Sequence, residues 1–374
     1  MGKKKILHVV DDEKFIDQAY FYSQITKSTI DHKFIVISES KKLKYISKTP
    51  VEILSKFLVI NPFFIWRLTK YDAVIIHKLD FLKLLLIFFS SKKVNFTWIG
   101  LGVDYYRFIV DNPNDLLLTH TKELTKYDER SKIRLFLKKK FYTGFFGKKA
   151  IQKIRNFAPV LSSEFQLFRN TNNWYKGKFV NFNYGSGIGK KKNFFKNKVI
   201  LGSNILIGNS ATYENNHVDF FLKIKDFDLA QRKIICPLSY GRGEYRSKVI
   251  EAGVENFGKN FEELTDFIPY DEYVKKISTC SIVVMNHKRQ QALGNIMLMV
   301  GMGAKVYLRE ENPVFSFLEN LGVKLFSIEQ ITGELDFFTP LSIDDIGKNK
   351  NTIKNRYKEG VFEKKITQFY KDVL

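Results

Sequence analysis

The chain of 374 residues has only two cysteines, Cys236 and Cys280, and eight prolines. Two cysteines make neither a disulfide framework nor a metal cluster, and they fit a reducing compartment. Acidic residues are scarce in one half only. Residues 1–200 hold 38 Lys and Arg against 16 Asp and Glu, whereas residues 201–374 hold 23 of each, so the net +22 belongs wholly to the first half. A long apolar run is also lacking. The most hydrophobic stretch, FLKLLLIFFSS at 81–91, contains Lys83 and falls short of the roughly 18–20 residues of a membrane span. The opening MGKKKILHVV has too short an apolar run for a signal peptide, and Ile6 stands where myristoylation needs Ser or Thr. A soluble or peripheral chain is expected, cytoplasmic in location.

Aromatics are abundant, with 35 Phe and 18 Tyr in a chain that is 44% hydrophobic. Such a composition excludes disorder and fills a large core, enough for about two domains. Short apolar runs alternate with amphipathic ones. ILHVV (6–10), FIVIS (34–38), AVIIH (73–77) and VNFTWIG (94–100) read as strands, followed by a run near 159–161 and KFVNF (178–182). YGSGIGKKKNFFKNK then breaks the pattern, and 185–198 reads as a linker. It fails as a phosphate loop, because Tyr184 stands where the first Gly is needed and Lys191 where Ser or Thr is. After it, strands are predicted near 199–207, 232–236, 254–257, 281–286 and 304–308. Helices are predicted near 214–225, 243–252, 270–278, 291–302 and 313–321. The spacing predicts an α/β chain of two Rossmann-like domains facing across a cleft, 1–184 and 199–340, with a helical tail over 341–374 that returns to the first.

Three polar elements follow strands in the second half. Gly208 lets the backbone approach a ligand, and Asn209 and Ser210 are able to cap the next helix, whose first turn holds Asn215 and His217. Pro237, Ser239 and Tyr240 end and turn a second strand. In the third, VVMNHKRQQALGNIMLMVGMGAKVYLREENPVF (283–315), Arg289 is suited to a bidentate grip on phosphate and Glu311 to ribose hydroxyls. Asp226-Phe-Asp228 has the D-x-D form but reads as a connecting turn. No metal ligand set is apparent, so metal-independent chemistry without a cofactor is expected.

Gly208-Asn209-Ser210 with Asn215 and His217, then Pro237 and Tyr240, then Arg289-Gln290-Gln291, Gly294 and Glu311-Asn312-Pro313 resemble the motifs of one family in order and approximate spacing. It is the TDP-4-acetamido-4,6-dideoxygalactose (Fuc4NAc) transferase family of common-antigen synthesis. The resemblance spans roughly 200–320. More loosely, His8, His77 and Trp98 with Gly102 and Asp104 are similar to its first-half motifs. The resemblance implies a GT-B fold, a nucleotide-sugar donor in the second domain, and a lipid-linked saccharide acceptor at the first. Candidate bases are His8, Asp11, His77 and Asp104, with Asp104 preferred because it sits just past a strand end, in a Gly-rich turn.

In RSKIRLFLKKKFYTGFFGKKAIQKIRNF (130–157) cations alternate with aromatics. Lys138, Lys139, Lys140, Lys148 and Lys149 are read as facing an anionic membrane, the inner leaflet for a lipid-linked acceptor. Two other readings stay open: a nucleic-acid-binding protein, motivated by the charge, and a catalytically inactive glycan-binding GT-B protein. Against the first, the charge avoids the half with the polar clusters and no nucleic-acid module is visible.

Overall fold

In the computed structural model the described residues are 2–374 except 14, 126–138, 183, 185–199, 201 and 359. They divide into two compact units. The first takes residues 2–111, 139–182 with 184, and 360–374; the second takes 112–125 and, from residue 200 onward, the chain to 358.

The first unit holds seven parallel strands in the order β3-β2-β1-β4-β5-β6-β7. These are β1 (Lys4–Val10), β2 (Ile30–Ile37), β3 (Val51–Leu54), β4 (Ala73–His77), β5 (Phe96–Ile99), β6 (Ile154–Ala158) and β7 (Lys178–Phe179). Helices α1 (Ile16–Ser23), α2 (Pro62–Arg67) and α3 (Phe81–Phe89) make the crossovers. Parallel strands buried on both faces read as continuous apolar runs, which is why β1 and β4 were legible. Strand order reverses between β1 and β4, the point where open α/β sheets bind ligands beyond the strands' carboxyl ends. Helix α4 (Thr119–Leu124) belongs to the second unit, while α5 (Phe145–Ile151) and α6 (Ser162–Thr171) belong to the first.

The second unit holds six parallel strands in the order β10-β9-β8-β11-β12-β13. They are β8 (Asn204–Ile207), β9 (Ile234–Pro237), β10 (Phe261–Leu264), β11 (Cys280–Met285), β12 (Lys305–Leu308) and β13 (Phe326–Ser327). Between them run α7 (His217–Ile224), α8 (Gly243–Phe257), α9 (Tyr270–Ile277), α10 (Leu293–Met302) and α11 (Pro313–Glu319), then α12 (Glu334–Phe338) and α13 (Ile343–Arg356). Here the order reverses between β8 and β11. Ile205, Ile207, Phe220, Phe221, Ile234 and Val284 build the core, each buried side chain contributing about 1.5–3 kcal/mol.

The chain then re-enters the first unit as α14 (Val361–Val373), which packs Ile366, Phe369, Tyr370 and Val373 onto Ile6, Val10 and Ile75. Two strand expectations fail. Residues 254–257 are the last turn of α8, ended by Gly258 at φ 49°, and the strand follows as Phe261–Leu264. The strand near 159–161 lies earlier, at Ile154–Ala158. Both cysteines are free and buried. Among the described residues no helix is long and apolar enough to cross a membrane.

Candidate active site

In the second unit, the loops after β8 and β11 lie side by side at the point of strand-order reversal. Gly208 follows β8 with φ 69°, a left-handed backbone that glycine adopts without strain. A Cβ there would also collide with His217 Nε2. Asn215 is the hub. Its Oδ1 accepts from the Asn209 N–H (2.9 Å) and from His287 Nε2 (2.8 Å), while its Nδ2 donates to Ser210 Oγ (3.1 Å) and Thr212 Oγ1 (2.8 Å). Gln291 Nε2 reaches back to Asn209 Oδ1 (3.0 Å), and Asn209 Nδ2 donates to the Tyr240 hydroxyl (2.8 Å). The β9 loop is stitched in by Ala211 N–H to Tyr240 O (2.7 Å) and Arg242 N–H to Ala211 O (2.8 Å). Asn312 closes the cluster: its Nδ2 donates to His287 O and Arg289 O, and its Oδ1 caps α11 through the Val314 N–H.

The network is buried but incomplete. His217 Nε2, His287 Nδ1 and Gln291 Oε1 have no hydrogen-bond partner within the protein. Asn215 Oδ1 makes His287 Nε2 the donor, so His287 Nδ1 is an acceptor; Gln291 Oε1 is another. A buried acceptor without a donor costs about 1–3 kcal/mol, which a ligand hydroxyl or N–H offsets. Burial holds His217 near a pKa of about 3 and His287 well below the ordinary value, so both rings are neutral at pH 7. The adjoining α10 starts from Ala292 in the left-handed region (φ 56°) and offers the free N–H groups of its first turn, with Gly294 exposed.

Other predicted residues sit as follows. Arg289 is buried, donating to Gln290 O (2.9 Å) with Glu214 3.9 Å away. Gln290 is buried beside it. Glu311 is largely exposed and paired with Arg309 (2.8 Å). Pro237 ends β9, and Ser239 and Tyr240 form its turn. Asp226 and Asp228 lie in the turn after α7, where Ala230 N–H bonds Asp228 Oδ1. Among the described residues no group of three His, Cys, Asp or Glu side chains is placed to hold a metal ion.

In the first unit three of the four candidate bases, Asp104, His8 and His77, are structural in their surroundings. Asp104 is fully buried and accepts from the Leu79 N–H, the Leu101 N–H and Trp98 Nε1, each at 2.8 Å. It ties the loop after β4 to the end of β5, with burial pushing its carboxyl above the ordinary range. His8 lies within β1. Its Nδ1 meets His77 Nε2 (2.9 Å) and its Nε2 meets His32 Nδ1 (3.1 Å); Thr26 Oγ1 takes the far end of His32 (2.9 Å), and the Tyr184 hydroxyl takes His77 Nδ1. Every ring nitrogen of that chain is partnered. Burial lowers the pKa of His77 to about 3, of His32 to about 4, and of His8 well below the ordinary value.

Asp11 differs. It follows β1 at the carboxyl edge and stays 23% exposed. Its Oδ1 lies 2.7 Å from Nζ of the fully buried Lys83, which also meets Asp80 (3.1 Å). Burial raises the Asp11 carboxyl above the ordinary range, ahead of the opposing pull of Lys83. Lys139, Lys140, Lys148 and Lys149 are exposed, and Lys138 lies outside the described residues. Sequence reasoning missed Thr212 and His287 in the cluster; a histidine two residues past the apolar IVVM run of β11 was the available signal.

Residues 188–336, which contain the whole cluster, match the model of the family described as 4-alpha-L-fucosyltransferase glycosyl transferase group 56, the family to which the motifs pointed. Across nearly the entire chain the fold is similar to solved structures. A glycosyltransferase from Rickettsia africae ESF-5 gives a TM-score of 0.62 at 14% identity, covering 100% of this chain and 99% of that one. The lipopolysaccharide outer core galactosyltransferase WaaB, in its apo form, gives 0.62 at 10% identity, covering 99% and 100%. Anabaena Alr3699/HepE, in complex with UDP and glucose, gives 0.58 at 9% identity, covering 99% and 100%. The protein is therefore a glycosyltransferase of the GT-B fold, and its residues 188–336 carry the pattern of the group 56 family.

Proposed function

We propose that the chain transfers an amino-deoxy sugar of the 4-acetamido-4,6-dideoxyhexose kind from a nucleotide diphosphate, dTDP in the first instance, to a lipid-linked saccharide. One observation carries the reading: the cluster at the β8/β11 reversal holds buried polar atoms left open, next to the free first turn of α10. The acceptors His287 Nδ1 and Gln291 Oε1 match the hydroxyl and N–H donors of a sugar, and the α10 N–H groups match a diphosphate. Glu311 is the residue for ribose. As the diphosphate leaves, helix N-termini stabilise its charge.

Asp11 is the group in the first unit that takes the acceptor's proton. It alone among the four candidates combines solvent access with a raised carboxyl pKa and a fixing partner, Lys83. The acceptor's lipid places the first unit at an anionic membrane surface. Supporting this, Lys148 and Lys149 lie beside the exposed Phe145 and Phe146, with Lys149 Nζ 5.7 Å from the Phe145 ring.

A thermal-shift panel of dTDP, UDP, GDP and CMP tests the donor. At about one hundred times its Kd, a nucleotide bound only by the folded chain adds about 2.7 kcal/mol. The largest shift is expected with dTDP. No shift with any of the four would overturn the proposal.

A further inference from the structure

The carboxyl edge of the first sheet bears a second feature, in sequence far from the 130–157 stretch. After β3 the chain forms a 3-10 turn (Lys56–Leu58) and then α2. Val59, Phe64 and Leu68 are buried and anchor this segment. Asn61 fixes it further by accepting from the Phe63 and Phe64 N–H groups (2.9 and 3.4 Å), with Pro62 opening the helix. Between the anchors, large apolar side chains face solvent: Phe57 is 85% exposed, Phe63 70% and Trp66 53%, with Leu58 and Ile60 beside them. The Phe63 and Trp66 rings lie 5.8 Å apart. Water penalises such a patch, and monomeric proteins rarely keep one without a use.

The charge around it selects the occupant. Residues 41–70 contain seven basic side chains (Lys41, Lys42, Lys44, Lys48, Lys56, Arg67 and Lys70) and one acid, Glu52, paired with Arg67 at 2.8 Å; Glu39, Asp12 and Asp17 accept backbone N–H groups of the segment, and the basic side chains remain in excess. Lys70 Nζ sits 4.0 Å from the centre of the Trp66 ring. A second copy of the chain would bring like charges together. An anionic bilayer meets both features, because the rings enter the acyl boundary while the lysines and arginine stay among the headgroups.

We infer that Phe57, Phe63 and Trp66 form a bilayer-insertion element, which places the carboxyl edge bearing Asp11 against the lipid surface. This rests on the membrane-facing part of the function proposed above and not on its donor site.

The test uses the full chain with vesicles of phosphatidylcholine, alone or with phosphatidylglycerol, carrying acyl-chain bromines. Trp98 is fully buried, but Trp174 is half-buried with Lys148 Nζ 5.8 Å from its ring, so both arms carry Trp174→Phe; in that background Trp66 fluorescence should be quenched on the anionic vesicles, and Trp66→Phe should remove the quenching. The triple variant Phe57→Ser, Phe63→Ser, Trp66→Ser should partition at least about ten-fold more weakly, including at high salt where cationic attraction is screened. Its dTDP-induced thermal shift should match the parent's, which shows that the variant folds. Bound protein with unquenched Trp66 would overturn the inference. So would a triple variant that partitions like the parent while Lys139, Lys140, Lys148 and Lys149→Glu alone abolishes binding; that outcome would keep the membrane reading. Self-association lost in the triple variant, without vesicle binding, would assign the patch to a second copy instead. Absence of any nucleotide shift in the parent strikes only the donor reading.

Discussion

Each unit buries a histidine network, and the two are completed differently. In the first, Thr26, His32, His8, His77 and Tyr184 form a chain in which both nitrogens of all three rings are partnered. In the second, His217 and His287 each keep one nitrogen without a protein partner, and Gln291 Oε1 joins them. Both sets are largely buried and their rings are neutral, so burial and depressed pKa do not tell them apart. Completion does: a closed network spends its hydrogen bonds on the fold, whereas an open one retains bonding capacity for something that arrives.

The most severe test separates chemistry from donor binding. Asp11→Asn should lower turnover by about 10²–10⁴, the usual contribution of a general base, with the dTDP-induced thermal shift unchanged. Full turnover in this variant would remove Asp11 from the chemistry. Next, a lesion in each network sharpens the contrast. Asn215→Leu strips the acceptor from the Asn209 N–H and His287 Nε2, each a loss of about 1–3 kcal/mol, and should abolish the nucleotide shift as well. His8→Leu should lower Tm comparably and keep the shift. Scanning fluorimetry with and without dTDP reads both, and a shift retained in Asn215→Leu would break the comparison.

Acid should treat the two networks alike. Unfolded histidines bind protons below about pH 6.5. The folded rings resist until about pH 4 for His32 and about 3 for His77 and His217, with His8 and His287 also held low. Their folded pKa values lie below the unfolded ones, so their contribution is fully present above pH 6.5. It is lost as pH falls toward 4, by about 1.4 kcal/mol per pH unit for each ring. Urea midpoints from pH 7.5 to 4.5 check this, and a flat profile would refute it. A smaller effect is expected at Glu311. Glu311→Gln should weaken nucleoside affinity by about 1–2 kcal/mol while leaving inorganic diphosphate binding alone, as calorimetry would show. Chelation with EDTA should change turnover least of all; a loss restored by magnesium would reopen Asp226 and Asp228.

The central strands were legible because a parallel strand buried on both faces is a continuous apolar word, as in AVIIH and SIVVM. Edge strands were not. VEIL (51–54) and FEEL (261–264) carry acids on half-exposed positions, and VENF looked more strand-like than FEEL while being the end of a helix. In the second half, motif order located the loops that the fold brings together at the β8/β11 reversal. The hub role of Asn215 was hidden, because its partner His287 lies 72 residues away in sequence. Asp104 was preferred as the base for following a strand in a Gly-rich turn, and the same features suit a carboxylate that pins a turn. Only three-dimensional placement distinguishes those roles.

Helix α14 has a consequence for biosynthesis. As the chain leaves the ribosome, all of the second unit's strands emerge before α14 does, although α14 completes the first unit's core with Phe369, Tyr370 and Val373. The Tyr370 ring lies 4.7 Å from that of His32 and 6.3 Å from that of His8. Until α14 docks, those histidines lack the Tyr370 ring beside them. The half of the protein made first is thus finished last, because its core lacks Ile366, Phe369, Tyr370 and Val373 until all of the second unit's strands have been made.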